Sequence, residues 1–117
     1  MYTYLATIIK VVDGDTVDVL IDLGMEVSIK QRLRLMGIDA PEVATQDGRD
    51  SRDWLRQYLP PGDVVIIRTI KDRQEKYGRY LAYIEAAPKT WTGTLPIDIA
   101  QELINAGHAV PYDGGRR

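Results

Sequence analysis

Acidic and basic side chains crowd the segment RLRLMGIDAPE, which spans residues 32–42. Arg34 lies in a stretch that alternates with leucines, and Asp39 and Glu42 follow it in a turn that contains Pro41. Charged groups crowded beside a turn lose hydration, and this cost is offset if another group lies between them. The crowding predicts that a divalent cation and a polyanion occupy the space between these side chains.

A second acidic turn precedes this segment, in the stretch VVDGDTVDV. Asp15 follows the turn Asp13-Gly14 and begins a strand, so it can meet Asp39 if the two strands pair. Two carboxylates and a main-chain carbonyl are hard oxygen ligands, which suit Ca²⁺ or Mg²⁺ better than softer metals. Taken alone, the first turn also fits a solvated hairpin, and Asp39 with Glu42 also fits an acidic helix-entry turn.

A second arginine, Arg79, stands at the start of a later strand in the stretch EKYGRYLAYI. Two arginines, two metal-binding aspartates and one further glutamate match the needs of phosphodiester hydrolysis. The metal and the guanidinium groups neutralise charge on the phosphate oxygens, and a carboxylate activates water. Taken singly, Arg34 also fits an ordinary surface arginine of a strand.

The elements that must position these residues follow from the apolar periodicity. Alternation and β-branched residues predict strands over residues 5–12, 17–22, 27–35, 64–70 and 80–86. A helical stripe predicts a helix over residues 49–59, and Asp98 with Gln101 predicts the cap of a second helix. The order β-β-β-α-β-β-α predicts one mainly β domain (α+β) over residues 1–117, a five-stranded barrel of the oligonucleotide-binding (OB) type with two helices.

The amino-acid composition excludes several kinds of catalytic and metal site. The chain has no cysteine and one histidine, His108, so thiol nucleophiles and multi-histidine zinc sites lack their residues. We expect no membrane span and no signal peptide, hence a cytoplasmic protein or one secreted after processing. The net charge of −2 argues against a generally basic nucleic-acid binder, so any such binding must depend on local basic clusters.

Three motifs in order, VVDGDTVDV, RLRLMGIDAPE and EKYGRYLAYI, resemble the staphylococcal nuclease (thermonuclease) family. The resemblance extends from about Leu5 to Gly107. It implies a calcium-dependent endonuclease on an OB-fold barrel. It further implies DNA or RNA as substrate and products that carry 3′-phosphate ends.

The resemblance also implies a role for each residue that matches a motif position. The metal ligands would be the side chains of two aspartates and one main-chain carbonyl: Asp15, Asp39 and Ala40. The catalytic groups would be Arg34, Glu42 and Arg79. Contacts to the substrate would come from Lys76, Tyr77 and Tyr112. Asp13 would lie in the outer shell of the metal.

The chain departs from the family pattern in three respects. Ala40 replaces a threonine, the additional C-terminal helix of the family is expected to be missing, and the pI near 5.3 predicts weaker nonspecific binding. Two other readings therefore remain open: a weak or inactive nucleic-acid- or protein-binding module, and a structural protein. Against the first, all five charged positions of the family are filled.

Overall fold

The computed structural model describes residues 2–74, 79–86 and 96–112. The strands within these ranges are β1 (Tyr2–Asp13), β2 (Thr16–Asp22), β3 (Ser28–Leu35), β4 (Ile38–Asp39), β5 (Val64–Gln74), β6 (Tyr80–Ala86), β7 (Ile97–Asp98) and β8 (Val110–Pro111). The helices are α1 (Gln46–Tyr58) and α2 (Ile99–Asn105). Neither helix of the described part is long and apolar enough to cross a membrane.

Five of the strands close into a barrel in the order β3-β2-β1-β5-β6. Neighbouring strands in this order are antiparallel, and the ring closes where β3 pairs with β6 in parallel. The closing pair is short, because Leu33, Arg34 and Leu35 pair with Tyr80, Leu81 and Ala82. The predicted mainly β, five-stranded barrel with two helices is confirmed.

The alternation that predicted the strands also sorts their side chains between the core and the surface. On β2, Val17 and Val19 are fully buried, whereas Leu20 between two inward residues is exposed. The two helices add apolar side chains to the same core: Leu55, Leu59, Ile99, Ala100 and Leu103. The core therefore holds β2, β3 and both helices in fixed relation.

Several element boundaries differ from the sequence prediction. β1 begins at Tyr2 rather than residue 5, and β5 continues to Gln74 rather than residue 70. α1 begins at Gln46 rather than residue 49, because the Thr45 side chain accepts a hydrogen bond from the Gly48 N–H and caps the helix. The irregular loop predicted over residues 87–96 lies outside the described residues except at its end.

The cap of α2 follows the prediction. The Asp98 side chain accepts hydrogen bonds from the N–H groups of Ala100 and Gln101 at the start of the helix. The helix ends before Gly107, whose φ of +81° is a conformation that glycine adopts without strain. That residues 1–117 form one domain, and that the family's further helix is missing, stay predictions.

Candidate functional site

The turn between β1 and β2 brings Asp15 against β4. Gly14 has no room for a side chain, since a Cβ atom there would clash with Ser51 Oγ and lie 2.8 Å from the Cβ of Ala40. Asp15 Oδ2 accepts a hydrogen bond of 3.1 Å from the Ala40 N–H. Its main-chain carbonyl accepts one of 2.8 Å from the Leu35 N–H. Asp15 is therefore bonded to the ends of two other strands.

Arg34 lies at the centre of the site. Its Nη2 atom is 3.3 Å from Asp39 Oδ1 and 3.6 Å from Asp15 Oδ2, and its Nη1 atom donates a 2.7 Å hydrogen bond to the Leu35 carbonyl. We call Asp15, Arg34 and Asp39 the acid–arginine cluster. These partners leave Arg34 only 9% exposed.

This direct contact changes the argument drawn from the crowded charges. From the crowded charges of residues 32–42 we predicted that a cation and a polyanion separate the acids from Arg34. In the structure the acidic oxygens lie within ion-pair distance of the guanidinium group, so the charges compensate one another. The crowding alone therefore does not require a bound ion. A metal assignment must depend on the donor set.

The second arginine joins the cluster through a hydroxyl group. Arg79 Nη1 donates a 2.9 Å hydrogen bond to Thr16 Oγ1. The same hydroxyl donates a 3.2 Å hydrogen bond to Asp15 Oδ1. Thr16 is buried, and its hydroxyl links Arg79 to Asp15. Sequence reasoning missed Thr16, although it directly follows the acidic turn.

The short ladder between β4 and β8 places Tyr112 beside the cluster. Asp39 pairs with Val110, and the Tyr112 N–H donates a 2.9 Å hydrogen bond to the Gly37 carbonyl. The centre of the Tyr112 ring lies 5.7 Å from Arg34 Cζ, within the range of a cation–π contact. The last described residue thus covers one side of the Arg34 guanidinium group.

Glu42 differs from the cluster because its side chain is exposed while its main chain is held. The Thr45 N–H and Oγ1 donate hydrogen bonds of 2.9 and 2.7 Å to the Glu42 carbonyl. A Cβ atom on Gly48 would clash with this carbonyl and lie 2.8 Å from that of Pro41. We call Thr45 and Gly48 the Glu42 anchor. The sequence prediction, which began the helix at residue 49, missed both.

Asp13, the last residue of β1, lies beside Asp15 at the turn between β1 and β2. Its Oδ1 atom accepts a 3.0 Å hydrogen bond from the Asp15 N–H. Burial, and to a lesser extent the adjoining Asp15 carboxylate, raises the pKa of Asp13 to about 6. At neutral pH the turn therefore holds a carboxylate whose ionisation is disfavoured.

The donor atoms of the cluster fit a hard divalent cation. No group of three or more acidic or histidine side chains gathers as a metal site within the described ranges. However, two carboxylates converge on a single cationic atom, Arg34 Nη2, which shows that oxygen ligands can surround one positive centre here. Asp15 and Asp39 could hold Ca²⁺ or Mg²⁺, with main-chain oxygen and water completing the shell.

The predicted site residues thus fall into three groups. The structure brings together five of them: Asp15, Arg34, Asp39, Ala40 and Tyr112. Arg79 joins through Thr16, and Glu42 follows Asp39 on the adjoining turn. Lys76 and Tyr77 lie outside the described residues. Arg32, two residues before Arg34, pairs at the surface with Asp18 at 2.7 Å.

Proteins named as endonucleases are among those to which this chain is similar. An "Uncharacterized endonuclease" of Escherichia coli O157:H7 is 30% identical over 106 residues, which are 91% of this chain and 60% of the relative. "Endonuclease YhcR" of Bacillus subtilis (strain 168) is 28% identical over 114 residues, which are 88% of this chain and 8% of the relative. "Probable endonuclease LCL3" of Candida dubliniensis is 28% identical over 88 residues, 70% of this chain and 34% of the relative.

The chain therefore spans about 60% of the length of the Escherichia coli relative, and much less of the other two. The family model described as "Staphylococcal nuclease homologue" matches residues 32–116. This range contains two of the three motifs, from the crowded acidic segment through the stretch around Arg79. The protein belongs to the staphylococcal nuclease homologue family.

Proposed function

We propose that this protein is a metal-dependent nuclease that hydrolyses phosphodiester bonds of DNA or RNA. One observation carries the proposal: two carboxylates and a guanidinium group converge within 3.6 Å, and a second guanidinium group is tied to them through Thr16. The site therefore pairs oxygen ligands for a cation with cationic donors for a phosphate. Two relatives carry the names "Uncharacterized endonuclease" and "Endonuclease YhcR", which supports the same reaction class.

The two arginines would hold the scissile phosphate. A guanidinium group stays cationic and donates two parallel hydrogen bonds, so it suits a phosphate with two exposed oxygens. Arg34 is held in place by the Leu35 carbonyl and by both acids, so little order has to be gained when phosphate binds. Phosphate would compete with the carboxylates for the Arg34 guanidinium.

Asp15, Asp39 and the Ala40 carbonyl would hold the metal, and the family resemblance favours Ca²⁺. When bound, the ion would stabilise the negative charge that develops on the phosphate oxygens. It would also compensate the acids once phosphate draws Arg34 away from them. On substrate binding, Arg34 would thus pass from the carboxylates to the phosphate, and Asp15 and Asp39 would hold the metal.

Glu42 would act as the general base. Its exposed carboxylate can take a proton from water that attacks phosphorus. The bond from phosphorus to the 5′ oxygen then breaks, and this oxygen takes up a proton from solvent, which leaves a 3′-phosphate on one fragment and a 5′-hydroxyl on the other. The Glu42 anchor would set where this carboxylate lies, because it holds the main chain from which the side chain extends.

A gel assay tests the proposal directly. We expect the protein to degrade single-stranded DNA or RNA with Ca²⁺ and to stop when a chelator is added. Glu42→Gln should lower the rate about 100-fold or more, because it removes the base and keeps the shape. Asp47→Asn, which neutralises another acid nearby in the chain, is the matched control and should cut normally.

The products distinguish the alternatives. Fragments that accept a label only after removal of a 3′-phosphate would support the stated bond cleavage. Binding of the nucleic acid without any products, in all of Ca²⁺, Mg²⁺ and Mn²⁺, would favour the binding module. Equal rates for Glu42→Gln and the unmodified protein would contradict the role of Glu42.

A further inference from the structure

A cavity lies inside one end of the barrel, and none of the residues of the acid–arginine cluster lines it. It has a volume of about 310 Å³. Inward-facing residues from all five barrel strands form its walls, where β1 and β3 begin and β2 ends. The residues that matter here are aromatic or can form hydrogen bonds: Tyr2, Tyr4, Gln31, Thr69 and Tyr80.

The described part of the barrel wall is incomplete beside this cavity. β3 pairs with β6 only from Leu33 onwards, although β3 begins at Ser28. Among the described residues, the first part of β3 is therefore bonded to β2 on one side only. Gln31 and Ile29 lie along this open edge and line the cavity. A ligand can approach the cavity there without separating two paired strands.

The cavity adjoins the two arginines of the proposed active site. Leu33 and Tyr80 are paired across the closing strands, and both line the cavity. Arg34 and Arg79 are their immediate neighbours along the chain. Because successive side chains of a strand point to opposite faces, Arg34 lies on the outer side of the wall whose inner side Leu33 forms. Gln31, on the open edge, precedes Arg34 by three residues, about 10 Å along β3. A strand whose phosphate is bound by the arginines could therefore place a nearby base at the cavity.

The chemistry of the lining indicates which part of a nucleotide fits. None of the described side chains that line the cavity carries a formal charge, so this part of the lining suits a neutral group rather than a phosphate. Tyrosine rings offer stacking surfaces for a heterocycle. The Gln31 amide and the Thr69 hydroxyl can each donate and accept hydrogen bonds at the edge of a base.

From this arrangement we propose that the cavity binds one unpaired nucleobase of a strand whose phosphate is held by Arg34 and Arg79. The proposal rests on the proposed function for its phosphate site, and it adds a base-binding site to it. A base within the barrel end is out of reach of its pairing partner, so the site selects a single strand. The phosphate binds the arginines through its charge, and the base binds by stacking in the cavity.

Filling the cavity tests the proposal. Ile29 lines the cavity and is 38% exposed, whereas Leu20, at 37%, faces outward from the adjoining strand. In a Glu42→Gln background, which slows cleavage, Ile29→Trp should weaken binding of a labelled thymidine decamer about 5- to 100-fold. Leu20→Trp adds the same bulk outside the cavity and should leave the dissociation constant unchanged within twofold.

A matched ligand isolates the contribution of the base. A decamer of abasic sugar phosphate keeps the charge and loses every base, so Ile29→Trp should not alter its dissociation constant. Loss of affinity for both decamers, or for neither, would overturn the proposal. Selective loss for the thymidine decamer supports it.

A third measurement separates this proposal from the proposed function. Thymidine has no phosphate and does not need the arginines, so its titration reports on the cavity alone. Amide resonances of Gln31 and Thr69 should shift in the unmodified protein and stay unchanged in Ile29→Trp. Their failure to shift would overturn the base site even if the protein cuts DNA. Shifts in a protein without nuclease activity would retain the base site and reject the proposed function.

Discussion

The acid–arginine cluster and the Glu42 segment hold their functional groups in opposite ways. In the cluster, the side chains themselves are fixed, since Asp15 and Arg34 are buried and joined by ion pairs and hydrogen bonds. In the Glu42 segment the main chain is fixed and the side chain is exposed. The fold thus restrains one group at its charged end and the other at its backbone.

This difference matches two different chemical tasks. Groups that stabilise charge work best when they are already oriented, because no reorganisation is then needed during the reaction. A general base has to approach water and then release the proton, so an exposed carboxylate on a held main chain is suitable. The comparison predicts that the two regions respond differently to substitution. The cluster should lose stability with function, and the Glu42 anchor should lose mainly function.

The largest effect is expected for Arg34→Ala. The substitution leaves Asp15 and Asp39 as neighbouring acids without this guanidinium, so we expect a loss of about 3 kcal/mol in unfolding free energy and of at least about 100-fold in rate. Thermal unfolding and a nuclease assay measure the two effects. Arg32→Ala is the control, since Arg32 pairs with Asp18 at the surface and should cost at most about 1 kcal/mol.

The effect of calcium on the stability of Arg34→Ala tests whether Asp15 and Asp39 bind the metal. If Asp15 and Asp39 are ligands, the ion replaces the lost positive charge in Arg34→Ala. Calcium should then raise the unfolding temperature more in this variant than in the unmodified protein. An equal rise in both, or none in either, would contradict the assignment of these acids to the metal.

A smaller effect, about 10- to 100-fold in rate, is expected for Gly48→Ala. The new methyl group clashes with the Glu42 carbonyl, so the main chain that carries the base has to move. A displacement of about 1 Å can cost this much in a positioned reaction. Gly24→Ala is the control, because Gly24 has a φ of +82° and open space around it. It should lower stability by about 1 kcal/mol and leave the rate unchanged.

The role of Gly48 can be separated from general damage by combining substitutions. In a Glu42→Gln background the base is already lost, so adding Gly48→Ala should have little further effect on the rate. Independent losses that multiply would show that Gly48 does not act through Glu42. Thr45→Val tests the other half of the anchor in the same way, with Thr45→Ser expected to retain the hydrogen bonds of the hydroxyl.

The sequence predicted the barrel and most residues of the site, but not the hydrogen bonds and main-chain contacts that position those residues. Period-two alternation on β2 and β3 predicted which faces are buried, because such a pattern directly reflects the geometry of a strand. The two-residue strands β4 and β8 are too short to show any period, so the ladder that brings Tyr112 to Arg34 could not be predicted. A helical glycine likewise carries no signal of the main chain that it will touch, which hid the role of Gly48.

The smallest effect is expected for Asp13→Asn, and it depends on pH. The pKa of Asp13 is raised from its ordinary value of 3.8 to about 6, so the folded state holds this proton more tightly than the unfolded state does. Stability contributed by this group is present below pH 4 and is lost as the pH rises through 6.

At pH 7 and without metal, the ionised Asp13 therefore opposes folding. Asparagine keeps an oxygen for the Asp15 N–H and removes the charge. We expect Asp13→Asn to raise the unfolding free energy by about 1 kcal/mol at pH 7, a figure reduced for the partial exposure of the group. At pH 4 the gain should vanish, because the carboxyl group is then protonated in the folded protein. Denaturant unfolding of both proteins in chelator at the two pH values measures this, and an equal gain at both would place its origin outside the ionisation of Asp13.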